Sequence, residues 1–460
     1  MPTPAATLPA APAQVPFLVA DSFVLALDAF MRRTGQGGHV SQSVLELAGP
    51  PDLGRLRTGV QRALAKHPLL AAAPRRRRWT RLPYWEVTTP PSGASLPFAC
   101  WREEEIAAGH PFAGATLAAD FPTLLRWLSA GGFSGGYRQF NARFDAVARR
   151  GGGFCLVLTW SHLLFDGKGA ELFCAELARL CEDGDAQAET SARSAPPRPG
   201  RSLFQKFRRT RSAMDYQTGL QETGAPSLGG RGPAPGGPNY EVVTFTPDQS
   251  AAIRTRAERL GGGLFPITFF VACVAHAQDR VFRHRGRRPA GYVVCVPTQT
   301  RKRGAREPIF HNHVAPLFFN PRREHLTNVA ETAAAMRSQF ATMVRDRVAE
   351  SFDAVLDLMR PLPDRAFLGL VRAQYGGELC TCFSSHTGSF AIDAFAGAPV
   401  TNAYHLPCLG TPPGTGIFFG EHGARLNVTV SWRDSALTGE ERGLMVAQLH
   451  DDLLGVERVA

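Results

Sequence analysis

The chain has 460 residues, of which 44% are hydrophobic, so it is long enough to bury a large core in one two-lobed unit or a few domains. Its formal net charge of +11 favours anionic partners, such as phosphate-bearing cofactors, acidic proteins or membrane surfaces. It lacks both the interleaved aromatic and basic residues of RNA-binding proteins and an apolar run long enough to cross a membrane. Nucleic-acid binding and a transmembrane role are therefore disfavoured.

The first part of the chain predicts a mixture of helices and strands. Residues 1–16 are rich in Pro and Ala and carry no basic residue, which indicates a disordered leader rather than a signal peptide. Hydrophobic spacing within residues 17–183 predicts helices at 21–31, 53–66, 140–147 and 169–181, and strands at 40–47 and 154–160. This mixture indicates an N-terminal α/β lobe.

A change in composition separates the two halves. Residues 184–238 are rich in Pro, Gly, Ser, Ala and Arg and predict a linker with a short basic helix at 203–216. Residues 239–460 predict a C-terminal α/β lobe. Its predicted strands are 240–245, 292–296, 313–319, 379–383, 416–419 and 426–432, and its predicted helices are 247–260, 267–282, 326–348 and 438–454.

The segment Ser161 to Gly167, SHLLFDG, directly follows a predicted apolar strand. A histidine at a strand end can act as a general base near neutral pH. Asp166 can hold the local turn, and Gly167 allows backbone geometry that other residues resist. Because the motif is short, a histidine with only a structural role is the plain alternative, and the surrounding elements decide between the two.

Cysteine and histidine usage argues against disulfides and metal. The nine cysteines are an odd number and several lie in apolar runs, which indicates buried free thiols in a reducing cytoplasm. His311 and His313 flank Asn312, but two ligands without a third do not make a metal site. We therefore expect no metal and no tightly bound cofactor.

With these elements in this order, the chain resembles the acyltransferase superfamily that carries the His-x-x-x-Asp-Gly motif. That superfamily includes chloramphenicol acetyltransferase, peptide-synthetase condensation domains and the wax ester synthase/diacylglycerol acyltransferases. The resemblance is carried by GPPDLGRLRTGVQRALAKHPLL (49–70), SHLLFDGKGAELF (161–173), VVCVPTQTR (293–301) and FHNHVAPLFF (310–319). It implies an α/β fold of two chloramphenicol-acetyltransferase-like lobes, with mixed sheets flanked by helices and the active-site channel between them.

The resemblance also implies a role for each motif residue. His162 would be the general base that activates a hydroxyl or amine acceptor, with O-acyl transfer favoured, and no covalent acyl-enzyme would form. Asp166 would pair with Arg301 of the other lobe and, with Gly167, shape the loop that carries His162. Since Ser161 stands where many relatives have a second histidine, only one imidazole is expected at the site.

Three further residues are candidates for contacts with the substrate or the oxyanion: Asn312, Ser384 and Ser385. The alternative for Asn312 is a strand-end amide that bonds to backbone, and the alternative for the serines is a polar turn.

The implied co-substrate is acyl-coenzyme A or an acyl carrier protein. The basic clusters at 75–78, 201–211 and 283–288 would suit the phosphates or the acidic helix of either donor, although a solvated basic face explains them equally well. The acceptor would be a small molecule or a lipid. We expect a monomer in the cytoplasm. The net positive charge of the chain is compatible with peripheral contact with the inner membrane face.

Two other functions stay open. The chain could be a condensation-type enzyme that takes only carrier-bound substrates, or a catalytically silent homologue that binds a carrier protein or an acyl chain.

Overall fold

The structure is a computed structural model that describes residues 13–87, 96–103, 121–131, 140–182, 203–229, 238–263, 266–302 and 304–456. The strands are β1 (Gln14–Pro16), β2 (Val40–Leu47), β3 (Ala73–Arg76), β4 (Pro83–Glu86), β5 (Phe98–Arg102), β6 (Ala142–Ala148), β7 (Phe154–Ser161), β8 (Asn239–Thr244), β9 (Val294–Gln299), β10 (Val314–Phe319), β11 (Cys382–Phe390), β12 (Ala394–Phe395), β13 (Ala398–Leu406), β14 (Thr415–His422) and β15 (Arg425–Trp432). The helices are α1 (Val19–Arg33), α2 (Leu53–Lys66), α3 (Phe121–Gly131), α4 (Gly167–Glu182), α5 (Leu203–Gln221), α6 (Pro247–Gly261), α7 (Ile267–His284), α8 (Val329–Arg345), α9 (Val348–Met359), α10 (Asp364–Ala373) and α11 (Gly439–Leu454).

Two six-stranded mixed sheets form the centres of two lobes. The N-terminal sheet has the order β12-β13-β2-β7-β6-β5, and the C-terminal sheet has the order β10-β9-β11-β14-β15-β8. β7 reads as a nearly continuous apolar run because both of its faces are covered, one by the core with α2 and α4 and the other by the core with α3. The predicted α/β architecture of two lobes with mixed sheets is confirmed.

Several elements match the sequence prediction closely. β2 and α2 have the predicted bounds, and α2 begins where the Asp52 carboxylate accepts hydrogen bonds from the backbone N–H groups of Gly54 and Arg55. Helix α1 is longer than predicted by two residues at each end.

The helix predicted at 140–147 is wrong, because this segment is strand β6. It pairs antiparallel with β7 and parallel with β5, and its alternate side chains Phe144 and Ala146 enter the core beneath α2 and α4. Polar and apolar residues alternate from Asn141 to Ala146, which is the period of a half-buried strand, so the sequence already carried the correct signal.

The helix predicted at 326–348 is present as α8, which is three residues shorter than predicted at each end. It ends before Arg347, whose φ of 52° is left-handed and cannot continue a right-handed helix, and α9 begins at Val348. No glycine marks this break in the sequence.

The predicted division into leader, lobes and linker needs three corrections. Residues 14–16 of the predicted leader form β1, which pairs with β4, whereas residues 1–12 lie outside the described residues. Within the predicted linker, α5 is a helix of 19 residues that packs against α9 of the C-terminal segment. The segment 394–406 of the predicted C-terminal lobe crosses over, and its strand β13 pairs with β2 of the N-terminal sheet.

The structure also describes the state of the cysteines and the length and polarity of the helices. The nine cysteines are all free, and Cys100 is exposed while the others are buried. Among the helices that the structure describes, none is both long and apolar enough to cross a bilayer.

Candidate active site

The predicted catalytic motif lies in a turn at the contact between the two lobes. β7 ends at Ser161 and α4 begins at Gly167, where the Asp166 carboxylate caps the helix by accepting a hydrogen bond of 2.8 Å from the backbone N–H of Gly169. The turn is joined to the segment before β10, because the backbone N–H of His311 donates to the carbonyl of Leu164 at 2.8 Å. The position of the turn therefore depends on both lobes.

The His162 ring is oriented by Asn312 of the other lobe. The Asn312 Nδ2 group donates to the carbonyl of His162 at 2.8 Å and to Oδ1 of Asp21 at 2.9 Å. With both amide hydrogens used, Asn312 Oδ1 accepts from His162 Nδ1–H at 3.0 Å. This arrangement fixes the tautomer with the proton on Nδ1 and leaves the Nε2 lone pair available to accept a proton.

Asn312 agrees in part with the alternative expected for it, an amide that bonds to backbone, because one of its N–H groups donates to the His162 carbonyl. Its other N–H group and its oxygen bond to the side chains of Asp21 and His162, and the residue is 2% exposed. Asn312 acts on His162 as a positioning residue.

Asp21 completes this network and was not identified as a site residue from the sequence. It is fully buried in the first turn of α1 and accepts hydrogen bonds from Nδ1–H of His311 at 2.8 Å and from the backbone N–H of Asn312 at 2.7 Å. Burial alone would raise the pKa of the Asp21 carboxyl, but these donors outweigh burial and hold the pKa below its ordinary value. A buried anion thus anchors the segment that orients His162.

A second imidazole also lies at the site, contrary to the sequence prediction of only one. The rings of His39 and His162 are stacked with centroids 4.6 Å apart and an interplanar angle of 13°. His39 precedes β2, whose Val40 pairs with Ser161, so antiparallel pairing brings His39 beside His162. Burial, and then the proximity of His162, hold the pKa of His39 well below its ordinary value, so this ring stays neutral.

The pKa of His162 is likewise lowered, and burial is the main cause. The hydrogen bond to Asn312 and the negative charges of Asp166 and Asp21 favour the protonated ring, but they offset burial only in part. At neutral pH the ring is therefore neutral, as a general base requires.

The predicted ion pair between Asp166 and Arg301 is present. Arg301 Nη1 lies 2.7 Å from Oδ2 and 2.9 Å from Oδ1 of Asp166, and both side chains are 3% exposed. Asp166 Oδ2 also accepts the backbone N–H of His313 at 2.8 Å. The pair joins the motif to the other lobe, and the architectural role expected of it stays a prediction.

The glycine that the motif needs most is Gly169 rather than Gly167. Gly167 is helical, without the positive φ that its predicted turn role implied, and a Cβ there would lie 3.1 Å from Cγ2 of Thr387. A Cβ on Gly169 would collide with the carbonyl oxygen of Ile309 and lie 2.7 Å from Cβ of Phe165. Gly169 thus permits the close approach of the two lobes.

Substitution Gly169→Ala should destabilise the fold by about 1–3 kcal/mol, because the new methyl group forces the 309–311 segment away from α4. Gly443→Ala on α11 is the matched control: a Cβ added there would meet no neighbouring group within 4 Å, so alanine should stabilise that helix by about 0.5–1 kcal/mol. Urea unfolding of both variants measures the difference. Equal stability of the two variants would contradict the close-approach argument.

Ser384 and Ser385 lie on strand β11, so the polar-turn alternative for them is wrong. β11 runs parallel to β14 and β9, and a bulge between His386 and Gly388 turns Thr387 toward Gly167. Ser384 is fully buried, and its Oγ has no hydrogen-bond partner among the described residues. A contact of either serine with substrate or oxyanion stays a prediction.

A cleft of about 1170 Å³ lies between the lobes on the side of the Asp166–Arg301 pair. It is bordered by the end of α2, by α4, by the 299–311 segment and by the bulge of β11. His162 is not among its lining residues, but Arg301 and His311 are, and both bond directly to the His162 network. The cationic lining residues are Lys66, Lys168, Arg179, Arg301, Lys302 and Arg306, against the acidic Glu176 and Glu307.

The three basic clusters seen in the sequence are used partly for internal ion pairs. Lys206 pairs with Asp357 at 2.6 Å, and Arg285 pairs with Glu441 at 2.6 Å. Lys302 and Arg306 belong to none of those clusters, and they are exposed in the cleft.

The fold is shared with acyltransferases and condensation domains of known structure. Trichothecene 15-O-acetyltransferase TRI3 from Fusarium sporotrichioides superposes with a TM-score of 0.67 at 11% identity, covering 96% of this chain and 95% of that one. The first condensation domain of the CDA synthetase superposes with a TM-score of 0.65 at 17% identity, covering 96% of each chain. The starter condensation domain of rhizomide synthetase, as a variant in complex with C8-CoA and Leu-SNAC, gives 0.60 at 12% identity, covering 96% of this chain and 94% of that one.

No known protein family matches the sequence, and no curated protein matches it either. At these identities the likeness shows the fold, and it confirms the two-lobed fold that the sequence resemblance implied.

Proposed function

We propose that the protein is an acyltransferase that moves an acyl group from an acyl thioester to a hydroxyl or amine acceptor, with His162 as the general base. The observation that carries this proposal is the free Nε2 of a neutral His162 whose Nδ1–H is held by Asn312. Two proteins of the same fold support it, since one is an O-acetyltransferase and the other is a condensation domain in complex with C8-CoA. The proposal takes a hydroxyl acceptor in preference to an amine, as the sequence resemblance led us to expect.

In the proposed reaction, Nε2 of His162 takes the acceptor proton as the acceptor oxygen or nitrogen attacks the thioester carbonyl. The tetrahedral oxyanion collapses, the carbon–sulfur bond breaks, and the imidazolium returns its proton to the leaving thiolate. The ring is then neutral again, so no acyl-enzyme and no additional reactant are needed.

The cleft between the lobes is the proposed site of the donor's phosphorylated arm. Lys302 and Arg306 are exposed there and make no ion pair among the described residues, so they can meet phosphate without losing an internal partner. Coenzyme A and an acyl carrier protein share this arm, and the cleft suits either.

A thiol-release assay over acyl-coenzyme A donors and alcohol or amine acceptors tests the proposed activity. The same acyl chains loaded on a carrier protein test the condensation-type alternative, in which only carrier-bound donors react. Lys302→Gln/Arg306→Gln should raise the KM for the donor about tenfold or more, whereas Arg259→Gln, exposed on α6, should not. Absence of thiol release with every donor would leave the silent, ligand-binding alternative.

The acid limb of kcat/KM should lie below about pH 6.5, the ordinary pKa of histidine, because burial lowers the pKa of His162 in the free enzyme. Activity falls only as pH drops through that lowered pKa and the ring gains a proton. Thiol release measured from about pH 4 to 8 locates the limb. An acid limb above the ordinary histidine value would argue against His162 as the titrating base.

A further inference from the structure

Three aromatic side chains are the most exposed of the large apolar side chains among the described residues, and they lie in one region. Trp79 is 88% exposed on the turn between β3 and β4, and Phe204 and Phe207 are 75% and 71% exposed at the start of α5. Side chains with this exposure project from the surface and contribute almost nothing to the fold. Exposed apolar groups of this size mark an interaction site.

Contacts at the end of α9 bring the β3–β4 hairpin and α5 together. Arg76 donates to the carbonyl of Arg360 at 3.1 Å, and Arg360 donates to the Asp357 carboxylate at 3.3 Å. On its other side Asp357 pairs with Lys206 of α5 at 2.6 Å. Arg76, three residues before Trp79, and Lys206, which lies between Phe204 and Phe207, therefore both bond to the 357–360 segment at the end of α9. This shared contact places the three aromatic residues in one region of the surface.

The outward face of α5 combines these aromatics with cations. Phe204, Phe207, Arg208, Arg211 and Met214 recur at helical spacing and are all exposed, while Lys206 and Arg209 face α9 and pair with acids there. A surface helix usually buries its apolar face against its own protein, whereas α5 exposes these large apolar side chains to solvent.

The hairpin turn carries the same combination of side chains. Arg77, Arg78 and Arg81 are exposed around Trp79, and the Arg78 guanidinium lies 5.5 Å from the centre of the Trp79 ring. Among the acids nearby, Asp357, Asp364 and Glu350 are each paired with a basic side chain, and Asp215 is exposed on the outward face of α5. The five exposed arginines of the two segments outnumber that carboxylate, so a net positive charge surrounds the aromatic tips.

We propose that this surface, formed by the β3–β4 turn and the outward face of α5, binds an anionic phospholipid membrane. Projecting aromatic rings suit insertion at the headgroup boundary, and the arginines around them suit anionic headgroups. An acidic protein would also attract the arginines, but it would leave the projecting aromatics in water unless it had a matching cavity. This inference is independent of the proposed acyl transfer.

Vesicle co-sedimentation of the full chain tests the proposal. Binding is expected to vesicles of phosphatidylcholine mixed with phosphatidylglycerol at low salt, with much weaker binding to phosphatidylcholine alone and at high salt. Phe204→Ser/Phe207→Ser should lower the partition coefficient at least about tenfold, because two inserted rings are lost. Arg208→Gln/Arg211→Gln should also weaken binding and reduce its salt dependence.

Matched controls are Leu53→Ser, an exposed apolar residue at the start of α2, and Arg259→Gln, an exposed cation on α6; both should bind as the wild type does. Thermal melting checks that every variant is folded, which its exposed position predicts. Absence of binding to anionic vesicles overturns the proposal. So does binding that the arginine variant loses and the phenylalanine variant keeps, because simple electrostatic adsorption would explain it.

Discussion

Replacement of His162 by alanine should lower kcat for acyl transfer by about 10²- to 10⁴-fold, the contribution of a positioned general base. The proton on Nδ1 is held by Asn312, so in the proposed reaction Nε2 takes the proton of the acceptor. Thiol release with saturating donor and acceptor measures the effect, and the thermal midpoint of the variant checks its fold.

The stacked His39 ring provides a demanding control for this prediction. His39→Phe keeps an aromatic ring against His162 but removes the second imidazole, so it should retain most of the activity. His284→Ala removes a 40% exposed imidazole far along the chain and should have no effect. Wild-type turnover in His162→Ala, or an equal loss in His39→Phe, would show that His162 is not the base.

The local features of this site were predictable because they follow from short-range chemistry. An apolar run ended at Ser161, a helical pattern began after Gly167, and an aspartate stood where it could cap that helix. Arg301 was predicted as the partner of Asp166 from the family resemblance, because the spacing of residues in the sequence does not indicate such a long-range contact.

The residues that orient His162 could not be found in the same way. Asp21 lies 291 positions before Asn312, and its carboxylate has no signal beyond an acidic residue in the first turn of a helix. His39 could have been placed beside His162 only by pairing β2 with β7 in the correct register. Both depend on how distant segments meet, which hydrophobic periodicity does not record.

The errors in predicted elements have different origins. The helix predicted over β6 overlooks the alternation of polar and apolar residues from Asn141 to Ala146, which fits a strand that pairs with β5 and β7. The end of α8 has no such signal, because Arg347 takes a left-handed conformation without a glycine or a proline to mark it. The first feature was present in the local sequence, whereas the second was not.

Breaking the buried ion pair should be the most destabilising change at the site. Arg301→Leu leaves the Asp166 carboxylate buried without its cation, and Asp166→Asn leaves the Arg301 guanidinium without its anion; each should lower the free energy of unfolding by about 3–5 kcal/mol. The pair Arg345–Asp346 is the control, because both side chains are on the surface, and Arg345→Leu should leave stability unchanged. Urea unfolding measures all three variants.

The double variant Asp166→Asn/Arg301→Leu separates a structural pair from a catalytic one. With no lone charge buried, it should lose less stability than the sum of the single variants. Its kcat should still fall, because Asp166 also accepts the N–H of His313 and so holds the segment that contains Asn312. Two results would contradict this role for the pair. One is a double variant whose loss in free energy of unfolding equals the sum of the losses in the two single variants. The other is full turnover in either single variant or in the double variant.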